Sequence, residues 1–156
     1  MGARLVQFLI ASAVALVCGC SNKAAPEAYR PGLGEIMTLT QMRHAKLWLA
    51  GQAGNWPLAE YETHELEEGF DDVVTFHPKH RGSQVPLAQA VPIMTNGPLA
   101  AVRAAIRNQD RAEFTKAYDS LTAACNECHR KTSFKFNVVT RPTGNPYLNQ
   151  DFAPPG

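Results

Sequence analysis

The fold is decided by residues 110–132, which read DRAEFTKAYDSLTAACNECHRKT. This stretch contains no proline or glycine, and its apolar residues recur every three or four positions, as on an α-helix with one buried face. Asp110 and Glu113, three positions apart, are close to a capping box, so the helix is predicted to run from there to about Thr132. The predicted buried face comprises Phe114, Ala117, Tyr118, Leu121, Ala124, Cys125 and Cys128.

Two helices are predicted in the first half of the chain. Residues 35–53 lack proline and show a charged side opposite an apolar side. Asn55 can cap a second helix, and Pro57 suits its first turn, so this helix is predicted to extend to about residue 74. Its inner face is expected to include Tyr61 and Leu66, and the acidic run within residues 60–68 is expected to face solvent.

The remaining segments complete an all-α domain over residues 35–156. Residues 86–107 predict a third helix, which we expect to be broken at Pro92 and again at Gly97-Pro98. From residue 134 onwards, prolines alternate with scattered aromatic and aliphatic residues, and strand signals are sparse. We expect this C-terminal extension to drape over the helices, because it is too apolar for a free tail throughout.

The N-terminus predicts export and lipidation. Residues 5–17 are almost wholly apolar, at the length of the hydrophobic region of a signal peptide and too short for a comfortable membrane span. Small residues precede Cys20, as in bacterial lipoprotein signals, so residues 1–19 are predicted to be removed and Cys20 to be lipidated. Ordinary secretion is the alternative. Residues 20–34, with two prolines and two glycines, are predicted to tether the domain to the periplasmic side of a membrane, more specifically the outer membrane.

The chemistry is predicted by Cys125-Asn126-Glu127-Cys128-His129, which is the C-x-x-C-H pattern of covalent haem attachment. Two thiols one helical turn apart can add to the two vinyl groups of one porphyrin, and the adjacent His129 can then bind the iron. A thioredoxin-like site shares the spacing but needs a βαβ setting. A zinc site needs a second pair of ligands, and His77 and His80 are the only candidate pair. One haem c is therefore expected. Cys18 is expected to leave with the signal peptide, and no disulfide framework is predicted.

The second axial ligand has two main candidates on the first helix. Met37 and His44 both fall on its inner side, two turns apart, so only one of them can reach the iron. Met37 is the first choice and His44 the alternative. Met42 or an open position on the iron is the remaining possibility. His64, His77 and His80 are expected on the surface.

A late helix that ends in C-x-x-C-H resembles the cytochrome c-prime family. The resemblance is carried by residues 110–129, with Gly51-Gln52-Ala53 similar to the turn after that family's first helix. It implies an antiparallel four-helix bundle with haem between the helices, an axial methionine near Met37 in members with two protein ligands, and dimerisation through the first two helices. The lipid anchor, the broken third helix and the C-terminal extension depart from the family pattern.

These features predict electron transfer by a mono-haem c-type cytochrome. The alternative is a cytochrome c-prime-type protein that binds nitric oxide or carbon monoxide at an open sixth position. No enzymatic activity is expected, because no catalytic triad or peroxidase-type acid–base pair can be assigned. With 15 Lys and Arg against 14 Asp and Glu, nothing suggests nucleic acid. The expected partners are periplasmic or membrane-bound redox proteins, and a homodimer is possible.

Overall fold

Residues 28–156 fold into four helices of equal length. The computed structural model describes residues 28–156, in which α1 spans Leu33–Ala53, α2 Trp56–Phe76, α3 Leu87–Arg107 and α4 Arg111–Lys131, with no strand among them. The all-α prediction is confirmed. None of these helices is long and apolar enough to cross a membrane. The predictions for the signal peptide, for Cys20 and for most of the tether lie outside the described residues.

The helices form an antiparallel bundle around one core. Each packs on its neighbour in sequence, and α1 and α4 close the bundle with the least extensive contact. Near one end Gln52 donates to Thr115 over 3.2 Å, and nearer the other end His44 lies 3.0 Å from Thr122, so α1 and α4 run in opposite directions. The fully buried core side chains come from all four helices: Leu47, Leu66, Val73, Val102, Phe114, Tyr118 and Leu121. The bundle implied by the family resemblance is therefore present.

The predicted helix caps are found at two of the four helix starts. The side chain of Asn55 accepts a hydrogen bond from the amide of Leu58, and that of Asp110 accepts from the amides of Ala112 and Glu113. The capping box is only half formed, because the carboxylate of Glu113 accepts from Lys116 instead of turning back to Asp110. The predicted cap residues thus place the starts of α2 and α4 correctly.

The third helix is continuous, and the predicted breaks at Pro92 and Gly97-Pro98 are wrong. Each proline removes one helical hydrogen bond, at a cost of about 3 kcal/mol in a helix interior. The same helix, however, buries an apolar stripe along its whole length, and burial of one such side chain contributes about 1.5–3 kcal/mol. Packing therefore outweighs the local penalty. The buried stripe consists of Leu87, Ala90, Val91, Thr95, Leu99, Val102, Ala105 and Ile106.

The inner face of α2 also differs from the prediction at one turn. Tyr61 is 56% exposed, whereas its neighbour Glu62 is 3% exposed and faces the bundle. Burial raises the pKa of the Glu62 carboxyl, with the nearby Lys46 acting in the opposite direction. The acidic run is therefore not a uniformly solvated face.

The C-terminal extension runs back along the seam between α1 and α4. Arg141 pairs with Asp119 on α4 and lies 4.4 Å from the ring of Trp48 on α1. Further along, Phe152 is buried, and the carbonyl of Ala153 accepts from Asn55 at the opposite end of the bundle. The prediction that the extension drapes over the helices is confirmed. The extension covers the side of the bundle where α1 and α4 make their limited contact.

Gly51 on α1 packs directly against the ring of Phe114 on α4, and its replacement is expected to destabilise the fold. A Cβ atom at this position would overlap the ring of Phe114, which is itself fully buried. Gly51→Ala should therefore lower the free energy of unfolding by up to about 2 kcal/mol, because overpacking costs about 1–3 kcal/mol and alanine recovers only roughly 1 kcal/mol in helix propensity. Urea unfolding would measure the change. Gly34→Ala, where nothing lies within 4 Å, is the control and should not destabilise.

Candidate functional site

A cavity of about 220 Å³ opens at one end of the bundle, where α1 and α3 begin and α2 and α4 end. Its walls are mainly apolar, with α2 contributing Leu66, Phe70 and Val73. The main haem-binding candidates from the sequence all line this cavity: Met37, His44, Cys125, Cys128 and His129. Met42, the remaining candidate ligand, does not line it.

Cys125 and Cys128 lie on one face of α4 and are not joined in a disulfide. Burial raises the pKa of the Cys125 thiol to about 12, and burial also raises that of Cys128. Redox-active C-x-x-C cysteines instead have lowered pKa values at helix N-termini. The two thiols are thus held protonated against an apolar cavity, near the C-terminus of their helix, which argues against the thioredoxin-like alternative.

His129 is oriented by the C-terminal extension. Its Nδ1 lies 2.7 Å from the carbonyl oxygen of Asn137. A carbonyl can only accept, so the proton sits on Nδ1 and the lone pair of Nε2 is free. Metal-binding histidines are almost always held in this way by a second acceptor. The side chain of Asn126, inside the C-x-x-C-H motif, fixes the same segment of the extension through two hydrogen bonds of 2.8 and 2.9 Å to the backbone of Val139.

Met37 and His44 are in different environments, although both contact the cavity. Met37 is half-buried and packs against the core cluster. His44 is buried, and both of its ring nitrogens have partners, Nε2 at 3.0 Å from Thr122 Oγ1 and Nδ1 at 2.9 Å from the hydroxyl of Tyr118. A ligand role for His44 would require breaking one of these hydrogen bonds, whereas Met37 has none to lose.

Burial of His44 is expected to make the protein less stable in mild acid. Desolvation lowers its pKa from 6.5 to about 4 in the folded state. Between these two values the unfolded chain binds a proton that the folded chain does not, so the free energy of unfolding falls as the pH falls. The difference between these two pKa values corresponds to roughly 3 kcal/mol of stability, which is lost progressively between pH 6.5 and about 4. Urea unfolding across this range should show a smaller pH dependence in His44→Gln than in the wild type, and equal slopes would contradict the prediction.

The three other histidines do not behave alike. His64 is exposed beside Glu68, and the Nε2 of His77 lies 2.9 Å from the carbonyl oxygen of Pro31. His80, expected on the surface, instead contacts the cavity, and its ring packs 5.2 Å from that of Phe134. Its Nδ1 is buried without a hydrogen-bond partner among the described residues. The surface prediction for His80 is therefore wrong, and no local sequence signal distinguishes it from His77.

The described residues contain no assembled set of ligands for the zinc alternative. Within residues 28–156, no three or more His, Cys, Asp or Glu side chains form a group that could hold a metal ion. The basic residues that follow the motif are partly neutralised, since Arg130 and Lys131 both pair with Glu127.

Comparison of the chain with protein-family models, with curated proteins and with solved structures finds no match.

Proposed function

We propose that this protein is a mono-haem c-type cytochrome that transfers electrons on the periplasmic side of a bacterial membrane. The observation that supports the proposal best is the shared location of Cys125, Cys128 and His129 at one apolar cavity, with the Nε2 of His129 left free by its bond to Asn137. Two thiols and one imidazole nitrogen are the donor set that a covalent haem needs.

The residues around the cavity fit such a cofactor. Each thiol of Cys125 and Cys128 would add its sulfur and its hydrogen across one vinyl group, forming two thioether bonds with no leaving group. The carbonyl of Asn137 keeps His129 in the tautomer that can bind iron. The apolar side chains from α2 exclude water from the same space. Bound there, a haem supplies a one-electron iron couple.

The second axial position is assigned to Met37 in this proposal. Its thioether lies at the cavity without a competing hydrogen bond, whereas His44 is engaged through both nitrogens. Methionine and histidine together raise the reduction potential relative to two histidines. An iron bound by both His129 and Met37 would have no free site for substrate, which favours electron transfer over catalysis.

The setting of the protein is part of the proposal. Lipidation of Cys20 would anchor it to the membrane, and outer-membrane sorting is preferred, with residues 21–34 as the tether. Its partners would be periplasmic or membrane-bound redox proteins, with a homodimer as a further possibility. Membership of the cytochrome c-prime family is proposed from the C-x-x-C-H motif at the end of α4 and from the four-helix bundle.

Optical spectra of residues 21–156, produced with a haem-attachment system, test this function. Electron transfer predicts a low-spin spectrum with a sharp α band on reduction, unchanged by carbon monoxide. A high-spin spectrum that shifts immediately with carbon monoxide would overturn it in favour of the gas-binding alternative.

A further inference from the structure

Asn126 occupies a variable position of the C-x-x-C-H motif, but its side chain is fully engaged with the C-terminal extension. Its Nδ2 donates to the carbonyl oxygen of Val139 over 2.9 Å, and its Oδ1 accepts from the amide of Val139 over 2.8 Å. The carboxamide therefore pairs with both backbone groups of one residue, as a neighbouring strand does in a sheet. Haem attachment and iron binding use only the two cysteines and the histidine of the motif, so this pair needs a separate explanation.

The Asn126–Val139 pair lies beside the hydrogen bond that orients His129. Asn126 and His129 are three positions apart on α4, so they share one face of the helix. Their partners in the extension, Val139 and Asn137, are two positions apart. Val138 between them is 66% exposed, whereas Asn137 and Val139 both line the cavity, which is the alternation of an extended segment. One face of α4 thus holds one side of the extension at two adjacent points.

The hydrogen bond from His129 to Asn137 depends on how firmly this segment is held. The bond is exposed, so water can compete for both of its groups. Residues 133–156 form neither helix nor strand, and no ladder of backbone hydrogen bonds holds Asn137 in place. Before Asn137, a turn is closed by its amide, which donates to the carbonyl of Phe134. Beyond it, the Asn126–Val139 pair is the nearest tie to the helices, and the next is formed by Arg141.

The acceptor at Nδ1 affects the electronic character of an iron-bound imidazole. A histidine that donates from Nδ1 to a carbonyl oxygen is a more basic ligand through Nε2. A more basic ligand stabilises the oxidised iron and lowers the reduction potential. The position of the Asn137 carbonyl is therefore a means of setting the potential.

We propose that Asn126 is a positioning residue for the iron ligand. By pinning Val139, it keeps the carbonyl of Asn137 on Nδ1 of His129 and so holds the reduction potential down. This inference rests on the proposed function, and it gives a variable position of the motif a role in tuning the iron.

Asn126→Ala removes both hydrogen bonds of the pair and tests the proposal directly. Alanine favours helix, so α4 and the covalent haem should be retained, with an unchanged low-spin spectrum. NMR can follow the Nδ1 proton of His129 in the reduced protein, whose low-spin iron is diamagnetic. We expect this proton to exchange with water about fivefold faster, the factor that corresponds to one hydrogen bond of typical net strength. Potentiometric titration should give a higher reduction potential than in the wild type.

Val139→Pro tests the same pair from the other side and leaves the motif intact. Proline removes the amide that donates to Asn126, and it favours an extended conformation at the residue before it. This variant should show both changes expected of Asn126→Ala. Thr140→Ala is the control, because Thr140 is the exposed neighbour of Val139 and carries no charge. Its exchange rate and potential should equal those of the wild type.

An unchanged exchange rate or an unchanged potential in Asn126→Ala would overturn the proposal. Equal changes in Thr140→Ala would also overturn it, since any disturbance of the extension would then be sufficient. All of these results require a protein that carries haem. Wild-type protein without haem would instead contradict the proposed function itself, so the two failures can be told apart.

Discussion

Replacement of both thiols, Cys125→Ala with Cys128→Ala, is expected to abolish covalent attachment of haem completely. The two sulfurs lie at the same cavity as His129, and the described residues contain no other cysteine that could form a thioether. Each single variant should retain one link. Haem staining after denaturing electrophoresis measures the result directly, because only a covalent haem stays with the unfolded chain.

Cys20→Ala is the matched control for this double variant. It removes the cysteine proposed to carry lipid and should leave haem staining at the wild-type level in the exported protein. Staining that survives in the Cys125, Cys128 double variant would show that the haem is covalently attached elsewhere, and the assignment of the site would be wrong.

Met37→Ala is expected to convert a six-coordinate iron into a five-coordinate one. The wild type should bind essentially no carbon monoxide, whereas the variant should bind about one molecule per haem on mixing, with a high-spin spectrum and a lower potential. The reason is that Met37 contributes the only thioether at the cavity wall among the described residues. Optical titration of the reduced protein with carbon monoxide measures the change.

Met42→Ala provides a control on the same helix. Met42 is half-buried, and its carbonyl accepts from Tyr147, but its side chain does not line the cavity. Its spectrum should match that of the wild type. If Met37→Ala behaves in the same way as Met42→Ala, while His44→Gln becomes high-spin, then His44 is the ligand and the hydrogen bonds seen around it must rearrange on haem binding.

Local patterns in the sequence were sufficient to predict most of the fold. Helix α4 combines a cap at Asp110 with an apolar stripe, and both signals act within a few residues of one another. The predicted breaks in α3 are wrong because the cost of Pro92 and Pro98 is local, whereas the packing that offsets this cost comes from other helices. The predictions for Tyr61 and Glu62 are wrong for a similar reason. Neighbouring residues lie about 100° apart around a helix, and tertiary packing decides which of the two faces the core.

In the candidate site, too, local features could be predicted from the sequence and long-range contacts could not. Cys125, Cys128 and His129 are adjacent in sequence, so their spacing alone predicts a shared face. The contacts of Asn137 with His129 and of His80 with Phe134 join distant parts of the chain, through the extension and the connection between α2 and α3. Nothing in the residues around either position encodes those contacts. The choice between Met37 and His44 likewise needed the hydrogen bonds to Thr122 and Tyr118.

The intact mass of the denatured wild-type protein tests the central claim most directly. Residues 21–156 should be produced in a host with a haem-attachment system and analysed by mass spectrometry, with peptide mapping of the haem-bearing fragment. We expect the mass of the polypeptide plus one haem, with the added mass confined to the fragment that contains Cys125 and Cys128. A folded protein with the mass of the bare polypeptide would contradict the account.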